Sequence, residues 1–354
     1  MKNVLFVVVF LTLSLCSYAQ DCTSCQPQSG PCDCSDSCGG GYVQPEYVGE
    51  CGYECCQPCI YVPCFYGRAD AVLWNIGGNN RSLVLRDVNG SNQTAFSSED
   101  FSNSIGGSAR ILLGVNLTAC TGIEGQYNGF QEWQSTKTLT GNGNLFLPGA
   151  LGAATNDFFM ADKMTLFSEV DFHSAEINLV RRTRNPSLVW LAGFRYINFE
   201  ENFNLNSTID IRAPWYSSDY TTRTANNLYG GQLGAKWDCL LTERFGLQAV
   251  GKVGVYGNNA KQQSWMGDDN NMYELRNVNM KGTKTSWGSE LNLGGYFRVT
   301  ENVSITGGYN LMWISDIARG ADQLDFGFLA DSGKHIATDT LFMHGANVGI
   351  EWQF

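Results

Sequence analysis

Beyond residue 20 no stretch approaches the 18 or so consecutive apolar residues that a membrane-crossing helix needs, so that route across a bilayer is closed. Charge is also scarce, at 16% of the 354 residues, which is little for a soluble surface. Basic residues are the scarcer sign, 23 against 34 acidic ones, for a formal charge of −11. A nucleic-acid binder would carry basic stripes, so nucleic acid is excluded as a partner. Histidine is nearly missing: only His173, His335 and His344 occur. With no Gly-x-Ser-x-Gly turn either, spacing nominates no hydrolase nucleophile. Proline is rare, 8 residues against 40 glycines, while aromatics reach 12%. That profile is expected of an all-β chain.

The chain opens on Met1-Lys2-Asn3, an apolar run from Val4 to Leu15, and Ser17-Tyr18-Ala19. A basic start, a short apolar core and a small-x-Ala site predict a signal peptide over 1–19. A lipid anchor on Cys16 is the alternative, disfavoured because bulky Leu15 precedes it. Cleavage removes one lysine and takes the charge to −12. Ten of the 13 cysteines then crowd together: Cys22, Cys25, Cys32, Cys34, Cys38, Cys51, Cys55, Cys56, Cys59 and Cys64. Cys22-x-x-Cys25 and Cys56-x-x-Cys59 each have the spacing of half a zinc site. Export to an oxidising compartment favours disulfides instead, because a glycine- and proline-rich stretch with no apolar core needs covalent staples. The reading is a Cys-rich, irregular periplasmic segment over 20–64, with no metal and no cofactor. Cys120 and Cys239 lie apart, near short turns, and one further bridge between them stays open.

From Phe65 onward the sequence alternates with period two, the mark of strands with one apolar and one polar face. In Ile105–Leu117 the odd positions read Ile, Gly, Ala, Ile, Leu, Val, Leu, and Ser108, Arg110 and Asn116 sit between them. Similar segments start at Phe65, Thr121, Leu188, Tyr229, Phe245, Trp287, Val303 and Ala346. One segment breaks phase: Leu166, Val170 and Phe172 against Ala175, Ile177 and Leu179, which predicts a β-bulge near Ser174. The gaps alternate too. Short ones follow Leu117, Arg181, Trp237 and Val299; long ones cover 75–103, 134–163, 200–226, 257–284 and 315–341. Transmembrane barrels sort their connections this way, with short periplasmic turns and long external loops. A soluble sandwich or lipocalin-like barrel is the alternative, and has no cause to do so. Trp74, Trp133, Trp190, Trp237, Trp287, Trp313 and Trp352 lie near strand ends, as a belt at the lipid boundary would.

The expected fold is therefore all-β: a transmembrane antiparallel up-and-down β-barrel over 65–354, of about ten strands (range about 8–14), with both ends periplasmic. The last strand, from Ala346 to the terminal Phe354, is amphipathic and resembles the signal read by the barrel assembly machinery. Outer-membrane lipids and lipopolysaccharide are expected partners, with envelope proteins a further option through the N-terminal segment.

Four stretches resemble the bacterial outer-membrane family described as putative β-barrel porin-7. They are Phe65-Tyr66-Gly67-Arg68-Ala69-Asp70-Ala71; Ala175-Glu176-Ile177-Asn178-Leu179 with Arg181-Arg182; Ala192-Gly193-Phe194-Arg195-Tyr196; and Gly308-Tyr309-Asn310-Leu311-Met312-Trp313-Ile314-Ser315 running into Ala318-Arg319 and Ala321-Asp322-Gln323-Leu324. The resemblance implies an outer-membrane barrel and supplies no catalytic residues.

The polar faces nominate Arg68, Asp70, Arg110, Glu124, Glu169, Asp171, Arg195, Lys236, Lys252, Glu290 and Arg298 as lumen-lining. Such charges either line a wet channel or pair with one another and fill a narrow barrel; about ten strands lie near the filled end. His173, between Asp171 and Ala175, reads as a polar lumen residue and not as a catalytic base. Asp268, Asp269, Asp322, Asp325 and Asp331 read as solvated loop charge, since no calcium-loop spacing is complete. The leading expectation is porin-like passage of small solutes through a polar lumen, with no enzymatic activity. The runner-up is a structural, envelope-tethering barrel with a plugged lumen.

Overall fold

The computed structural model describes residues 64–77, 81–101, 105–118, 120–154, 158–183, 185, 187–210, 216–268, 274–327 and 335–354. The expected signal peptide and all but the last residue of the Cys-rich segment lie outside these. Twelve strands follow in chain order: β1 Phe65–Ile76, β2 Ser82–Val88, β3 Ser91–Ser97, β4 Ile105–Asn116, β5 Thr121–Phe146, β6 Ala161–Arg182, β7 Leu188–Ile209, β8 Tyr216–Leu240, β9 Phe245–Asp268, β10 Glu274–Arg298, β11 Val303–Ile317 and β12 Asp339–Gln353. Ten of them close a ring in the order β1-β4-β5-β6-β7-β8-β9-β10-β11-β12, with β12 pairing back onto β1. All of the ring pairings are antiparallel. Closure leaves no ring strand with a free edge, the condition for a sheet in lipid.

β2 and β3 form a hairpin outside the ring, docked on β5 at Leu85↔Phe146. Its turn is Asn89-Gly90, with φ of 54° and 80°. Two successive positive φ values make the type I′ turn whose twist matches a two-residue hairpin, and Asn and Gly tolerate them best.

The connections sort by length as expected, with one correction. β5 to β10 run 22 to 26 residues, whereas β1, β4, β11 and β12 run only 12 to 15. A bilayer needs only about 9–11 residues of tilted strand. The stretches 134–163, 200–226 and 257–284, expected as loops, are therefore mostly strand. Their Asn- and Thr-rich composition belongs to the outer face of sheet that stands clear of the membrane.

β7 shows the arrangement in one strand. Trp190 and Phe194 face outward and are exposed; from Asn198 to Thr208 the outward residues are Asn, Glu, Asn, Asn, Asn and Thr. Inward, polar Arg195 gives way to Ile197, Phe199, Phe203, Leu205 and Ile209, all buried. In the membrane half the apolar face is outside; in the projecting half it is inside. The same reversal corrects the predicted bulge. β6 pairs β7 without a break, and Leu166, Val170 and Phe172 are buried inward while Ile177 and Leu179 are exposed on the outer face. The irregularity lies instead in β5, between Asn128 and Gln131, opposite this stretch of β6.

Only six ring strands, β5 to β10, project far, so the upper half is a trough and not a closed cylinder. Its concave apolar face must be covered, and the connections do this. Leu83, Val84 and Phe96 of the hairpin, Leu147 and Phe158 of the β5–β6 connection, Leu151 of the short helix Gly149–Ala154, and Ala321 and Leu324 of the β11–β12 connection pack there. They meet Leu166, Phe203, Leu205, Tyr220 and Met266. Burial pushes the Tyr220 phenol upward, and its hydroxyl accepts from Arg276 at 2.6 Å.

Candidate functional site

The site to consider is the barrel interior, built up from the rim that carries the short turns. Each inward residue is set there by the period of its strand, so charge from different strands meets across the lumen. Lys236 of β8 pairs with Glu124 of β5, which also accepts from the Tyr66 hydroxyl at 3.1 Å. Arg68 of β1 holds Asp70 at 2.9 Å and reaches Gln248 of β9 at 2.7 Å. Asp70 also takes Arg110 of β4 at 2.9 Å, and Arg110 donates to Asn310 of β11 at 2.9 Å. Asn292 and Asn347 complete an amide cluster around Asn310. Deeper in, Arg195 of β7 binds Glu290 of β10 at 2.6 Å and Glu176 of β6 at 3.7 Å, while Lys252 of β9 pairs with Glu176. Gln232 of β8 donates to Glu176 at 3.0 Å.

These bonds are chords. Lys236–Glu124, Arg195–Glu290 and Lys252–Glu176 each join strands three places apart in the ring. The charges thus tie non-neighbouring strands together across the lumen. Taking one partner from such a buried pair typically costs about 3–5 kcal/mol, because the other is left stranded.

Above this layer lies a second one of different character. Val72, Trp74 and Ile76 of β1, Trp133 of β5, Val170 and Phe172 of β6, Ile197 and Phe199 of β7, Leu228 of β8, Tyr256 of β9, Met312, Ile314 and Ile317 of β11, and Leu341 and Met343 of β12 form one buried cluster. Eight of the ten ring strands contribute, so the cluster fills the cross-section. Glycine makes the room: a Cβ at Gly106 would collide with the Trp133 indole. At the boundary between the layers, Arg195, Lys252, Tyr256, Glu290 and Met312 border a cavity of about 10 Å³, close to the least that admits one water.

Higher still, residues 318–327 run inside the trough. The Arg319 guanidinium lies 3.7 Å from Glu201, the Gly320 amide donates to Glu201 at 3.0 Å, and Asn226 bonds both the amide and the carbonyl of Ala318 at 2.8 Å. Arg276 donates to the carbonyls of Asp325 and Gly327, and Arg81 to those of Ala321, Asp322 and Leu324. Asp322 and Asp325, expected as solvated loop charge, are therefore half-buried parts of this insertion.

Nine of the eleven predicted lumen residues face inward: Arg68, Asp70, Arg110, Glu124, Arg195, Lys236, Lys252, Glu290 and, at the rim, Arg298. Two do not. Glu169 and Asp171 sit on the outward face of projecting β6, where Glu169 accepts from Gln134 at 3.1 Å and from Asn202 at 3.4 Å. They were misplaced because Leu166, Val170 and Phe172 were read as lipid-facing. His173 shares that outward face; its Nδ1 meets the Tyr127 hydroxyl at 3.0 Å where polar exterior turns apolar. Trp74 and Trp133, expected in the lipid-boundary belt, are interior, whereas Trp190 and Trp287 are exposed outside at 54% and 65%. Asn292, Asn310 and Asn347 lie inward, on the polar faces that the alternation gave them. The sequence reading missed Glu176 as an interior residue, although the signal was present: it lies opposite Arg195 on the facing strand. It also missed Glu201 with Arg319, which no local pattern joins.

What decides the setting is the outer surface. Phe65, Leu73, Ile111, Leu113, Ile177, Phe194, Leu233, Val253, Phe297, Ile305, Val348 and Ile350 are all exposed, on strands whose inner face holds paired charges or, on β11, the hydrogen-bonded amide of Asn310. A continuous apolar outside around a polar inside is the signature of a barrel in lipid. Residues 159–354 match the family described as putative beta barrel porin-7.

The chain belongs to that family.

The match covers the late stretches that carried the resemblance; Phe65–Ala71 lies ahead of it. A porin-7 family barrel is an outer-membrane protein, and the apolar band fits that membrane. No curated protein matches the sequence. Among solved structures, Neisserial surface protein A is similar at 12% identity, covering 82% of this chain and 97% of that one, with a TM-score of 0.26. The outer membrane protease OmpT from Escherichia coli gives 10%, 82%, 97% and 0.34, and the translocator domain of autotransporter NalP from Neisseria meningitidis gives 7%, 83%, 90% and 0.35. At such identities and scores they carry no functional argument.

Proposed function

We propose that this porin-7 family barrel is a closed structural element of the outer membrane, not an open pore and not an enzyme. The short-turn rim and both ends of the barrel face the periplasm, in keeping with the length rule for barrel connections. The projecting trough is then a β-platform displayed outside the cell, and the Cys-rich segment lies on the periplasmic side.

The observation that carries this reading is the apolar cluster contributed by eight strands. Ions shed water at a large cost when they enter hydrocarbon-like surroundings, and a close-packed layer offers no compensating ligands. Because strands and not a loop bear the cluster, no single connection can swing away to open it. Purified protein in a planar bilayer is therefore expected to give no single-channel steps at voltages where an open porin does. Stable, repeatable steps from the unmodified protein would refute the closed reading.

Porin-like passage of small solutes is the second reading. It is favoured by the charged lumen layer near the rim, which resembles a channel lining in composition. On that reading a triple variant Phe172→Ala, Phe199→Ala, Met312→Ala would raise an existing conductance; on the closed reading it would create one.

A further inference from the structure

On the outer face of the projecting strands, one row sets like charges against each other. Following the register from β6 to β10, it reads Asp171, Glu200, Ala225, Lys261 and Lys281. Lys261 of β9 and Lys281 of β10 are directly opposite, and both are exposed. Cβ atoms paired in this way sit about 5 Å apart, and like charges there cost stability. Neither lysine makes an ion pair among the described residues. The nearest acid along the row, Glu200, is two strands from Lys261, about 10 Å away, and it accepts from Asn198 at 3.1 Å. Arg223 of β8, also exposed, lies opposite Gln263 and so diagonal to Lys261, about 7–8 Å off. Three cations therefore face outward together, and folding gains nothing from the arrangement.

The height of the row says which anion it suits. Val255 and Trp287, the last exposed apolar residues of the lipid band on β9 and β10, are cross-strand partners, and the lysine pair lies six residues beyond them. One row above Val255, the Tyr196 and Tyr229 rings pack at 4.8 Å between centroids, as aromatic residues do at the lipid–water boundary. From that row to Lys261 is four residues, about 13 Å of strand and roughly 10 Å in height once tilted. A phospholipid headgroup layer is only about 5–8 Å deep. A sugar headgroup is deeper, and the neighbours suit one. Gln263 and Asn279 face each other just above the lysines, and Asn259 and Thr283 just below. Amides and hydroxyls both donate and accept, as sugar hydroxyls require.

We propose that Lys261, Lys281 and Arg223 hold a phosphate on the sugar headgroup of lipopolysaccharide, the phosphorylated glycolipid of the outer leaflet. The opposed lysines bring two ammonium groups to one phosphate, and the guanidinium adds its planar fork from the side. The bound anion relieves the repulsion between the lysines. At the other end of the row, Asp171 opposite Glu200 repels the same anion and confines it to β8–β10. The inference rests on the outward placement of the trough proposed above, and not on whether the barrel conducts.

The test uses the full-length protein purified in detergent, with binding read by native mass spectrometry. The probes are rough lipopolysaccharide, the same preparation stripped of phosphate, phosphatidylglycerol, and inorganic phosphate. The parent is expected to hold the intact glycolipid, and Lys261→Gln/Lys281→Gln to hold it roughly tenfold or more weaker. Stripping the phosphate should have the same effect on the parent. Lys137→Gln/Lys163→Gln, which removes two exposed cations elsewhere on the projecting sheet, should bind as the parent does. Freed of lipid, the Lys261→Gln/Lys281→Gln protein should resist urea at least as well as the parent, because a repulsion is gone. Equal glycolipid binding by that variant and the parent overturns the proposal. So does equal or tighter binding of phosphatidylglycerol, or displacement of the glycolipid by an equal concentration of inorganic phosphate. The outward placement is read separately: a membrane-impermeant amine reagent on intact cells should label Lys137 and Lys163. No label there overturns the placement and the proposal with it. Label there, with unchanged binding in the lysine variant, overturns the lysine site alone.

Discussion

The lower and upper halves of β5 to β10 are made of the same strands and are built inside out with respect to each other. Within the membrane, Leu233 and Val253 point to lipid and Lys252 and Arg195 point inward. In the projecting half, Asn204 and Asn206 point to water and Phe203 and Leu205 point inward. Alternation alone never says which face is the interior; the solvent on each side does. Lipid cannot satisfy polar groups, so in the membrane the polar face turns inward and pairs with itself. Water rewards the opposite arrangement. The crossing point is sharp: on β6 the outward residues change from Asp171 and His173 to Ala175 and Ile177 within one turn of the pleat.

Substitutions can break or sharpen this contrast, and the largest effects fall on the two interiors. Glu176→Ala strands Lys252, leaves Arg195 with Glu290 alone, and is expected to cost about 3–5 kcal/mol in urea-driven unfolding from liposomes. Phe203→Ala empties part of the trough core and is expected to cost a similar amount, about 3–5 kcal/mol. The two should differ in kind, since Glu176→Gln keeps some of its hydrogen bonds and recovers part of the loss, while Phe203→Leu recovers volume. Next comes the outer face: Leu233→Arg, at 64% exposure in the lipid band, is expected to cost about 2–4 kcal/mol near the bilayer midplane. The same change on the projecting wall, Asn204→Arg, should fall within about 0.5 kcal/mol of the parent. If Leu233→Arg were as mild as Asn204→Arg, the placement of the membrane band would be wrong.

The sequence disclosed the ring well: ten strands, their order and the sorted connections all follow from period two and from gap length. It disclosed the strand lengths poorly, and β7 shows why. Phe194 and Tyr196 keep one phase, then Phe199, Phe203 and Leu205 take the other, so a continuous strand reads as a strand followed by a polar loop. Glu169 and Asp171 were lost to the lumen by the same slip on β6. Trp74 and Trp133 fooled the boundary argument because indoles fill a wide interior as readily as they mark an interface. The lumen charges were nominated from single strands, but their pairing across three strands depends on curvature, which local pattern does not contain. The insertion of residues 318–327 was likewise invisible, since its contacts, such as Asn226 with Ala318, join distant parts of the chain.

The unequal strand lengths have a steric consequence. From Asn198 to Ile209, β7 carries twelve residues above its apolar band, about 40 Å of chain at 3.3 Å per residue and somewhat less in height once tilted. The upper tips of the strands β7, β8, β9 and β10 therefore stand well clear of the lipid headgroups, whereas the wall formed by β11, β12, β1 and β4 ends close to them. Anything that grips those tips from outside can do so without touching the bilayer, and it will meet the molecule from one side only.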